Sequence, residues 1–197
     1  MKKIPTLFVR EFDGHNIKSI KQELSDEKFR WVLEGEGDAT VKIDGSCCAI
    51  IDGTFYKRYD AKKGKKPPAD AIPCCDPDPV TGHWPHWVPV KVSDPADTWF
   101  CTALGHYIND KQTDRLPIPE IKYQTFEAIG MHFNGNPYRM DYDTLVPHGQ
   151  RIIKVDRTFE GIRDYLTEHA VEGIVFWKDG EPQCKIKRTD FGLKWPA

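Results

Sequence analysis

Prolines are concentrated in one stretch of this chain, and their density limits what that stretch can form. Eight of the fifteen prolines lie between residues 67 and 95, in the sequence PPADAIPCCDPDPVTGHWPHWVPVKVSDP. Proline fixes the backbone φ angle and has no amide hydrogen, so it disfavours helix interiors and central strands. We therefore expect a long irregular excursion at about 67–95, within a single domain that spans residues 1–197.

The patterns on either side of this stretch predict an α+β fold with antiparallel hairpins and a few helices. Residues 16–33 place Ile17, Ile20 and Leu24 at helical spacing, and residues 158–169 place apolar residues on one helical face. Strand-like segments are predicted at 38–60 with a turn at Asp52-Gly53, at 121–129, and at 172–177 and 183–188 with a turn at Asp179-Gly180.

The composition is that of an ordinary globular protein, with 39% hydrophobic and 29% charged residues. The formal net charge is −2, so any binding to nucleic acid must come from locally clustered charge. No apolar run is long enough for a signal peptide or a membrane span. We therefore expect a cytoplasmic or nuclear protein that is not secreted. The six cysteines contain no C-x-x-C spacing and are predicted to be reduced structural thiols.

Three lysines stand out because strand alternation places them beside an acid or beside each other. In VKIDG, Lys42 and Asp44 share a face, and Gly45 permits a tight turn. In CKIKR, Lys185 and Lys187 share a face and lie roughly 7 Å apart. Such a pair lies either on a solvated face or around an anion. Lys42 is likewise either a surface lysine or a nucleophile whose pKa is lowered by nearby cations.

Glu172 precedes the predicted strand at 172–177. Strict alternation puts its side chain on the same face as Ile174 and Phe176, whereas Val175 and Trp177 take the opposite face.

Four short motifs occur in one order: KIDG at 42–45, FEAIG at 126–130, EGIVFW at 172–177 and KIKR at 185–188. They resemble motifs I, III, IV and V of the covalent nucleotidyltransferase superfamily, which contains ATP-dependent ligases and capping enzymes. The strings KIDGSCC, HWVPV, IGMHFNGNPY, VPHG and FGLKWP make the chain more narrowly similar to the vertebrate-type RNA ligase 1 family. That family joins 5′-phosphate and 3′-hydroxyl RNA ends.

The resemblance runs from about residue 38 to residue 196. It implies an ATP-grasp-like nucleotidyltransferase (adenylyltransferase) core of twisted antiparallel sheets flanked by helices. Only nine residues follow Arg188, so we expect no OB-fold domain after the last motif.

The resemblance also implies a role for each matching residue. Lys42 would attack the α-phosphorus of ATP and carry AMP, while Lys185 and Lys187 would hold the α-phosphate and lower the pKa of Lys42. Glu127 would contact the ribose hydroxyls. Glu172 would lie at or near a divalent metal ion, Mg²⁺ or Mn²⁺.

Three further residues belong to the implied nucleotide site. Asp44 would bind the metal ion through water or orient the lysine, and Gly45 completes the same motif. Arg58, in YKRYD, would contact the nucleotide or the incoming RNA phosphate. In the later steps AMP would pass to an RNA 5′-phosphate, and the 3′-hydroxyl would displace AMP to seal the strand.

The remaining candidates have two interpretations each. Trp84 and Trp87 either contact RNA or pack under the excursion, and Asn134, Asn136 and His148 either form turns or line a pocket. The KKGKK run is either a solvated loop or an RNA contact. The residues predicted to bind RNA are Arg58, Lys62, Lys63, Lys65, Lys66 and Arg188.

Two other functions are compatible with parts of the pattern. One is a capping-type or DNA-joining nucleotidyltransferase. The other is a non-catalytic RNA-binding module that uses the KKGKK run and the tryptophans, whose RNA binding would be indifferent to ATP.

Overall fold

A computed structural model describes residues 3–14, 16–79, 81–110 and 118–196 of the protein. The strands are β1 (Phe8–Asp13), β2 (Asn16–Leu24), β3 (Asp38–Lys42), β4 (Ser46–Ile51), β5 (Thr54–Ala61), β6 (Ile72–Pro73), β7 (Trp84–Pro89), β8 (Tyr123–Ile129), β9 (Thr144–Pro147), β10 (Gly173–Lys178) and β11 (Glu181–Lys187). The helices are α1 (Arg30–Leu33), α2 (Thr98–Asn109) and α3 (Phe159–Glu168), with 3-10 turns at Glu27–Phe29, Pro95–Asp97, Ile118–Glu120 and Arg188–Phe191. The paired strands of the three sheets are antiparallel, which confirms the predicted α+β class.

Internal contacts divide the chain into two compact units. The central unit comprises residues 44–148, and the terminal unit comprises residues 3–43 and the segment from residue 149 onward. Each unit has its own hydrophobic core. The single domain expected over residues 1–197 stays a prediction.

The terminal unit contains the β1–β2 hairpin and a three-stranded sheet in the order β11-β10-β3. One face of that sheet and helix α3 share the core. Ile162 and Leu166 of α3 are fully buried there, which confirms the helical face predicted for 158–169. The helix begins after Thr158, whose hydroxyl accepts a hydrogen bond from the amide of Gly161 at 3.0 Å.

The helix expected over 16–33 is wrong, because most of this segment is strand β2. Ile20 and Leu24 pack against the core of the terminal unit, whereas Ile17 is 36% exposed. A spacing of four residues satisfies both a helical face and the two-residue period of a strand. Pairing of β2 with β1 decides between them, and only the short helix α1 follows.

The central unit is built on a six-stranded sheet in the order β6-β7-β5-β4-β8-β9. Helix α2 packs on one face, where Ala103 and Tyr107 are buried with Cys48, Phe126 and other apolar side chains of the sheet. The segment expected to form one strand from residue 38 is instead two strands, β3 in the terminal unit and β4 in the central unit. The sequence prediction of a strand over 121–129 is confirmed by β8.

The proline-rich stretch is not wholly irregular, because β7 lies in this sheet between β5 and the short strand β6. Val90 donates its amide to Phe55 at 2.9 Å, so even-numbered residues of β7 direct their amides toward β5. Pro85 and Pro89 are odd-numbered and lie where no donor to β5 is needed. The expectation that proline excludes a strand is therefore wrong for residues 84–89; residue 80 lies outside the described residues.

Two further sequence predictions concern the hairpin β10–β11 and the cysteines. Asp179 and Gly180 join the two strands with φ angles of +55° and +76°, as expected of a tight hairpin turn. All six cysteines are free thiols.

No helix within the described part of the chain is long and apolar enough to cross a membrane.

Candidate active site

Three lysines lie on one face of the three-stranded sheet in the terminal unit. Gly173 of β10 is paired with Lys42 of β3 on one side and with Lys187 of β11 on the other. Lys185 is paired with Val175, two residues further along β10. Paired residues of antiparallel strands share a face, so Lys42, Lys185 and Lys187 are brought together opposite the apolar core. The shared face predicted for Lys185 and Lys187 is confirmed.

Glu172 is the acid between these lysines. One carboxylate oxygen is in close contact with the ammonium of Lys42, and the other forms an ion pair with Lys187 Nζ at 2.6 Å. The Glu172 side chain is only 5% exposed, so the charge is buried but paired. The expectation that Glu172 shares a face with Ile174 and Phe176 is wrong: β10 begins at Gly173, and strand alternation does not extend to the residue before it.

Gly173 allows strands β10 and β11 to approach closely beside this acid. A Cβ atom at position 173 would lie 2.2 Å from the carbonyl oxygen of Ile186 and 3.0 Å from the Cα of Lys187. These are backbone atoms and cannot rotate away. Position 173 therefore carries no side chain between Lys42 and Lys187, and both ammonium groups can reach Glu172.

The pKa of Lys185 is lowered from its usual value to about 8. Burial is the largest cause, followed by the positive charges of Lys42, Lys187 and Arg10, while Glu172 acts in the opposite direction. The charged form of Lys185 is therefore poorly stabilised by the protein alone. An anion on this face, such as a phosphate group, would stabilise it.

Arg10 of β1 is a residue of this cluster that the sequence motifs did not identify. Its guanidinium donates to both carboxylate oxygens of Asp190 at 2.9 Å each, and Asp190 also accepts the backbone amide of Lys187 at 2.8 Å. Asp190 is fully buried, so this bidentate pair fixes the end of β11. Nothing in the sequence links two residues 180 positions apart.

Glu127, in the central unit, is held by a histidine. His148 Nε2 lies 3.2 Å from one carboxylate oxygen of Glu127, and His148 Nδ1 lies 2.9 Å from the hydroxyl of Thr125. The other carboxylate oxygen of Glu127 is buried and has no hydrogen-bond partner among the described residues. An ionised oxygen in that state has capacity for a ligand hydroxyl.

Arg58 of β5 and Glu127 of β8 are linked through a cysteine on the strand between them. Cys47 of β4 is paired with Glu127, and its thiol interacts with Arg58. Burial, together with the negative charge of Glu127, raises the pKa of Cys47 to about 12, so the thiol stays protonated. Arg58 also forms an ion pair with Asp60 at 2.8 Å.

Asp44 and Gly45 open the central unit. The Asp44 carboxylate accepts a hydrogen bond from Asn134 at 2.6 Å, and its backbone amide donates to the hydroxyl of Tyr138 at 2.7 Å. The φ angle of Asn134 is +48°, so it forms the expected turn and also orients Asp44. A Cβ atom at Gly45 would lie 2.4 Å from the carbonyl oxygen of Ala128, which requires glycine there.

Of the two predicted metal ligands, Glu172 belongs to the terminal unit and Asp44 to the central unit. Within residues 3–14, 16–79, 81–110 and 118–196, no group of three or more histidines, cysteines or acids is arranged to hold a metal ion.

The predicted RNA contacts have different surroundings. Lys62, Lys63, Lys65 and Lys66 are exposed in a turn that directly follows β5. Arg188 instead donates to the backbone carbonyls of Leu166, His169 and Lys194, which is a structural role at the end of α3. Trp87 is buried, and Trp84 donates its indole N–H to the carbonyl of Cys75 at 2.7 Å.

A family model described as RNA ligase 1 matches residues 67–197, more than half of the chain. The chain belongs to the RNA ligase 1 family. The matched segment contains Glu127, Glu172, Lys185 and Lys187 of this family member, and Lys42 precedes it.

Proteins named RNA ligase 1 are also similar to this family member. The one from Rattus norvegicus is 27% identical, with the alignment covering 99% of this chain and 82% of the rat protein. The one from Danio rerio is 32% identical over 59% of this chain and 43% of the fish protein. The one from Pongo abelii is 26% identical over 80% of this chain and 68% of the ape protein.

The lowered pKa of Lys185 predicts that its positive charge lowers the free energy of unfolding of this RNA ligase 1 family member. Below about pH 8, Lys185 is charged in both the folded and the unfolded protein, and its charge lowers the free energy of unfolding in full. Between pH 8 and 10.5 the lysine is neutral in the folded protein but still charged in the unfolded one. The free energy of unfolding therefore rises again across this range. Lys185→Met should therefore raise the free energy of unfolding by about 2 kcal/mol at pH 7, and the gain should shrink at pH 10. Urea denaturation at both pH values measures this difference in the free energy of unfolding. The exposed Lys122→Met variant should show neither effect.

The Arg10–Asp190 pair predicts a second, coupled effect on stability. Arg10→Met leaves the carboxylate of Asp190 buried without its cation and should lower the free energy of unfolding by about 3 kcal/mol. The double variant Arg10→Met/Asp190→Asn removes that unpaired charge and should recover at least half of the loss. Denaturation of both variants provides the comparison. Equal losses in the two would show that the ion pair does not hold this end of the sheet.

Proposed function

We propose that this protein is an ATP-dependent RNA ligase that forms a covalent lysyl-AMP intermediate on Lys42. The observation that carries the proposal is the convergence of Lys42 and Lys187 on the buried Glu172, with Lys185 on the same sheet face. Membership of the RNA ligase 1 family supports the ligase class and RNA as the substrate. The nucleotidyltransferase core is part of the same proposal.

In the first step the amine of Lys42 attacks the α-phosphorus of ATP. A nitrogen–phosphorus bond forms, the bond to the pyrophosphate oxygen breaks, and the amine loses a proton. Lys42 is held by the carboxylate of Glu172 in the structure, as an ammonium group would be. Attack requires the neutral amine, so Lys42 must separate from Glu172 as ATP binds.

Lys185 and Lys187 would bind the phosphate oxygens during this displacement. Both are positively charged groups on one face of strand β11, an arrangement that can stabilise charge developing on phosphorus. The pKa of Lys185, at about 8, leaves it protonated for the most part near pH 7 and able to contribute that charge.

The chemistry of Glu172 fits a divalent metal ion that arrives with the nucleotide, because this buried carboxylate already attracts two cations. When bound, Mg²⁺ or Mn²⁺ would be held by Glu172 with phosphate oxygens and water, and would screen the triphosphate charge. Asp44 is the second proposed ligand, through water. Its carboxylate is oriented by Asn134.

The central unit would bind the nucleoside part of ATP and the RNA. Glu127 is proposed to accept a ribose hydroxyl, since one of its oxygens is buried without a partner among the described residues. Arg58 would contact the nucleotide or the RNA 5′-phosphate, and Gly45, next to Asp44, lets the backbone of Ala128 approach closely. The exposed Lys62, Lys63, Lys65 and Lys66 offer phosphate contacts.

Two further displacements would complete the reaction. An oxygen of the RNA 5′-phosphate attacks the phosphorus of lysyl-AMP, and the bond to Lys42 breaks. The 3′-hydroxyl of the second RNA end then attacks that 5′-phosphate, which releases AMP and seals the strand. Positioning and charge neutralisation account for most of the catalysis in such steps.

The proposal predicts a covalent adduct of one AMP after incubation with ATP and Mg²⁺. Intact mass measured under denaturing conditions should show this gain, and Lys42→Ala and Lys42→Arg should abolish it. Glu172→Gln and Lys185→Ala should reduce the rate of adduct formation by at least about a hundredfold, since each removes charge at the reacting phosphate. The matched lysine control is Lys122→Ala, at an exposed position directly before β8, which should form the adduct normally. Absence of the adduct with Mg²⁺ and with Mn²⁺ would refute the proposal.

The substrates separate this ligase from the alternative functions. ATP should support adduct formation at least tenfold better than GTP, and RNA with 5′-phosphate and 3′-hydroxyl ends should be joined in preference to nicked DNA. Gel analysis of end-labelled strands measures the joining. A preference for GTP would indicate a capping-type enzyme, and a preference for nicked DNA a DNA-joining enzyme. RNA binding that is unaffected by ATP and by Lys42→Ala, without joining, would indicate a non-catalytic module.

A further inference from the structure

The two carboxylate oxygens of Glu127 have different surroundings. Oε1 lies 3.2 Å from Nε2 of His148. Oε2 is buried and has no hydrogen-bond partner among the residues that the structure describes. Leaving an acceptor buried without a partner is costly, and native proteins rarely do so outside functional sites. The partner of Oε2 is therefore expected to be a ligand with a hydrogen-bond donor.

His148 is itself held from two directions. Its Nδ1 lies 2.9 Å from the hydroxyl oxygen of Thr125, and its backbone amide donates to the carbonyl of Thr125 at 3.0 Å. An ionised Glu127 can only accept, so Nε2 carries the proton that it donates. In the neutral ring Nδ1 is then an acceptor, and the Thr125 hydroxyl donates to it.

Thr125 and Glu127 lie two residues apart on β8 and so point to the same face of the sheet, opposite helix α2. Their partners on β4 are Ala49 and Cys47. The Cys47 thiol stays protonated, because burial and Glu127 raise its pKa, so it brings no second negative charge to this face. Thr125, His148 and Glu127 thus form one hydrogen-bonded chain that ends at Oε2.

We propose that Thr125 and His148 are positioning residues that hold Glu127 with Oε2 directed at a ribose hydroxyl, and that this chain makes the enzyme select ribonucleotides over deoxyribonucleotides. The inference rests on the proposed function for the identity of the nucleotide. It adds two residues that no motif contains in this role. The ligand class is a nucleoside with a free 2′- or 3′-hydroxyl, which donates a hydrogen bond to Oε2.

The physical basis of the selection is the state of Oε2 in each complex. A ribose hydroxyl satisfies the buried oxygen, whereas a deoxyribose leaves it without a partner and displaces any solvent that could serve instead. Sites built to bind a hydroxyl in this way reject analogues that lack it. If the chain that holds Glu127 is cut, the carboxylate can turn toward solvent, and the penalty for the deoxyribose disappears.

The test is equilibrium binding of AMP, 2′-deoxyAMP and 3′-deoxyAMP, measured by calorimetry in the full chain. In the unaltered protein AMP should bind about ten to a hundred times more tightly than at least one of the two deoxy analogues. Thr125→Val and His148→Ala should weaken AMP binding by about tenfold and should leave binding of that analogue unchanged or tighter, because the penalty for the deoxyribose is lost. The ratio between the two ligands then collapses, which a general loss of structure would not cause.

Conservative variants provide the matched controls. Thr125→Ser keeps the hydroxyl, and His148→Gln keeps a side-chain N–H that can donate to Glu127, so both should retain most of the selectivity. Thermal denaturation of all four variants checks that they fold.

Three outcomes would overturn the inference: equal binding of all three nucleotides by the unaltered protein, no AMP binding, or full selectivity in both Thr125→Val and His148→Ala. None of these depends on covalent chemistry. Selective binding of AMP by a protein that never forms lysyl-AMP would instead refute the proposed function and leave this inference intact.

Discussion

The ion-pair cluster around Glu172 is the interaction on which the terminal unit's candidate site depends. Three lysines on one face of a small sheet repel one another, and a buried carboxylate that contacts two of them makes the arrangement tolerable. The compensation is incomplete, because the pKa of Lys185 is still lowered to about 8 by burial and by the neighbouring cations. Residual positive charge of this kind is unfavourable for folding but favourable for binding a triphosphate.

The two buried glutamates, Glu172 and Glu127, differ in how their carboxylate oxygens are bound. Glu172 has both oxygens engaged by ammonium groups, so any ligand cation must compete for them. Glu127 has one oxygen fixed by His148 and the other without a partner among the described residues, so a donor can bind without displacing a protein group. The first arrangement suits a carboxylate that changes partners during a reaction. The second suits a carboxylate that recognises a fixed feature of a ligand.

Sequence periodicity predicted the direction of side chains correctly where the geometry of a single strand or helix determines it. The shared face of Lys185 and Lys187 follows from strand alternation within β11, and the buried face of α3 follows from its helical spacing. Predictions failed where a partner decides. Residues 16–33 carry a spacing compatible with helix and strand, and pairing with β1 selects the strand. The contacts of Glu172 depend on where β10 begins, and the Arg10–Asp190 pair joins residues from opposite ends of the chain, so local patterns could not reveal either.

The prolines of β7 have a consequence for the outer side of the six-stranded sheet. Strand β6 pairs with β7 at Ile72–Trp87 and Pro73–His86, and the amide of Cys74 donates to the carbonyl of Pro85 at 2.9 Å. The backbone nitrogens of Pro85 and Pro89 face this side and carry no hydrogen to donate. A border without a regular row of donors is a poor template for an additional strand from another molecule. The residues that looked least compatible with a sheet thus leave this side of β7 with fewer backbone donors for an added strand.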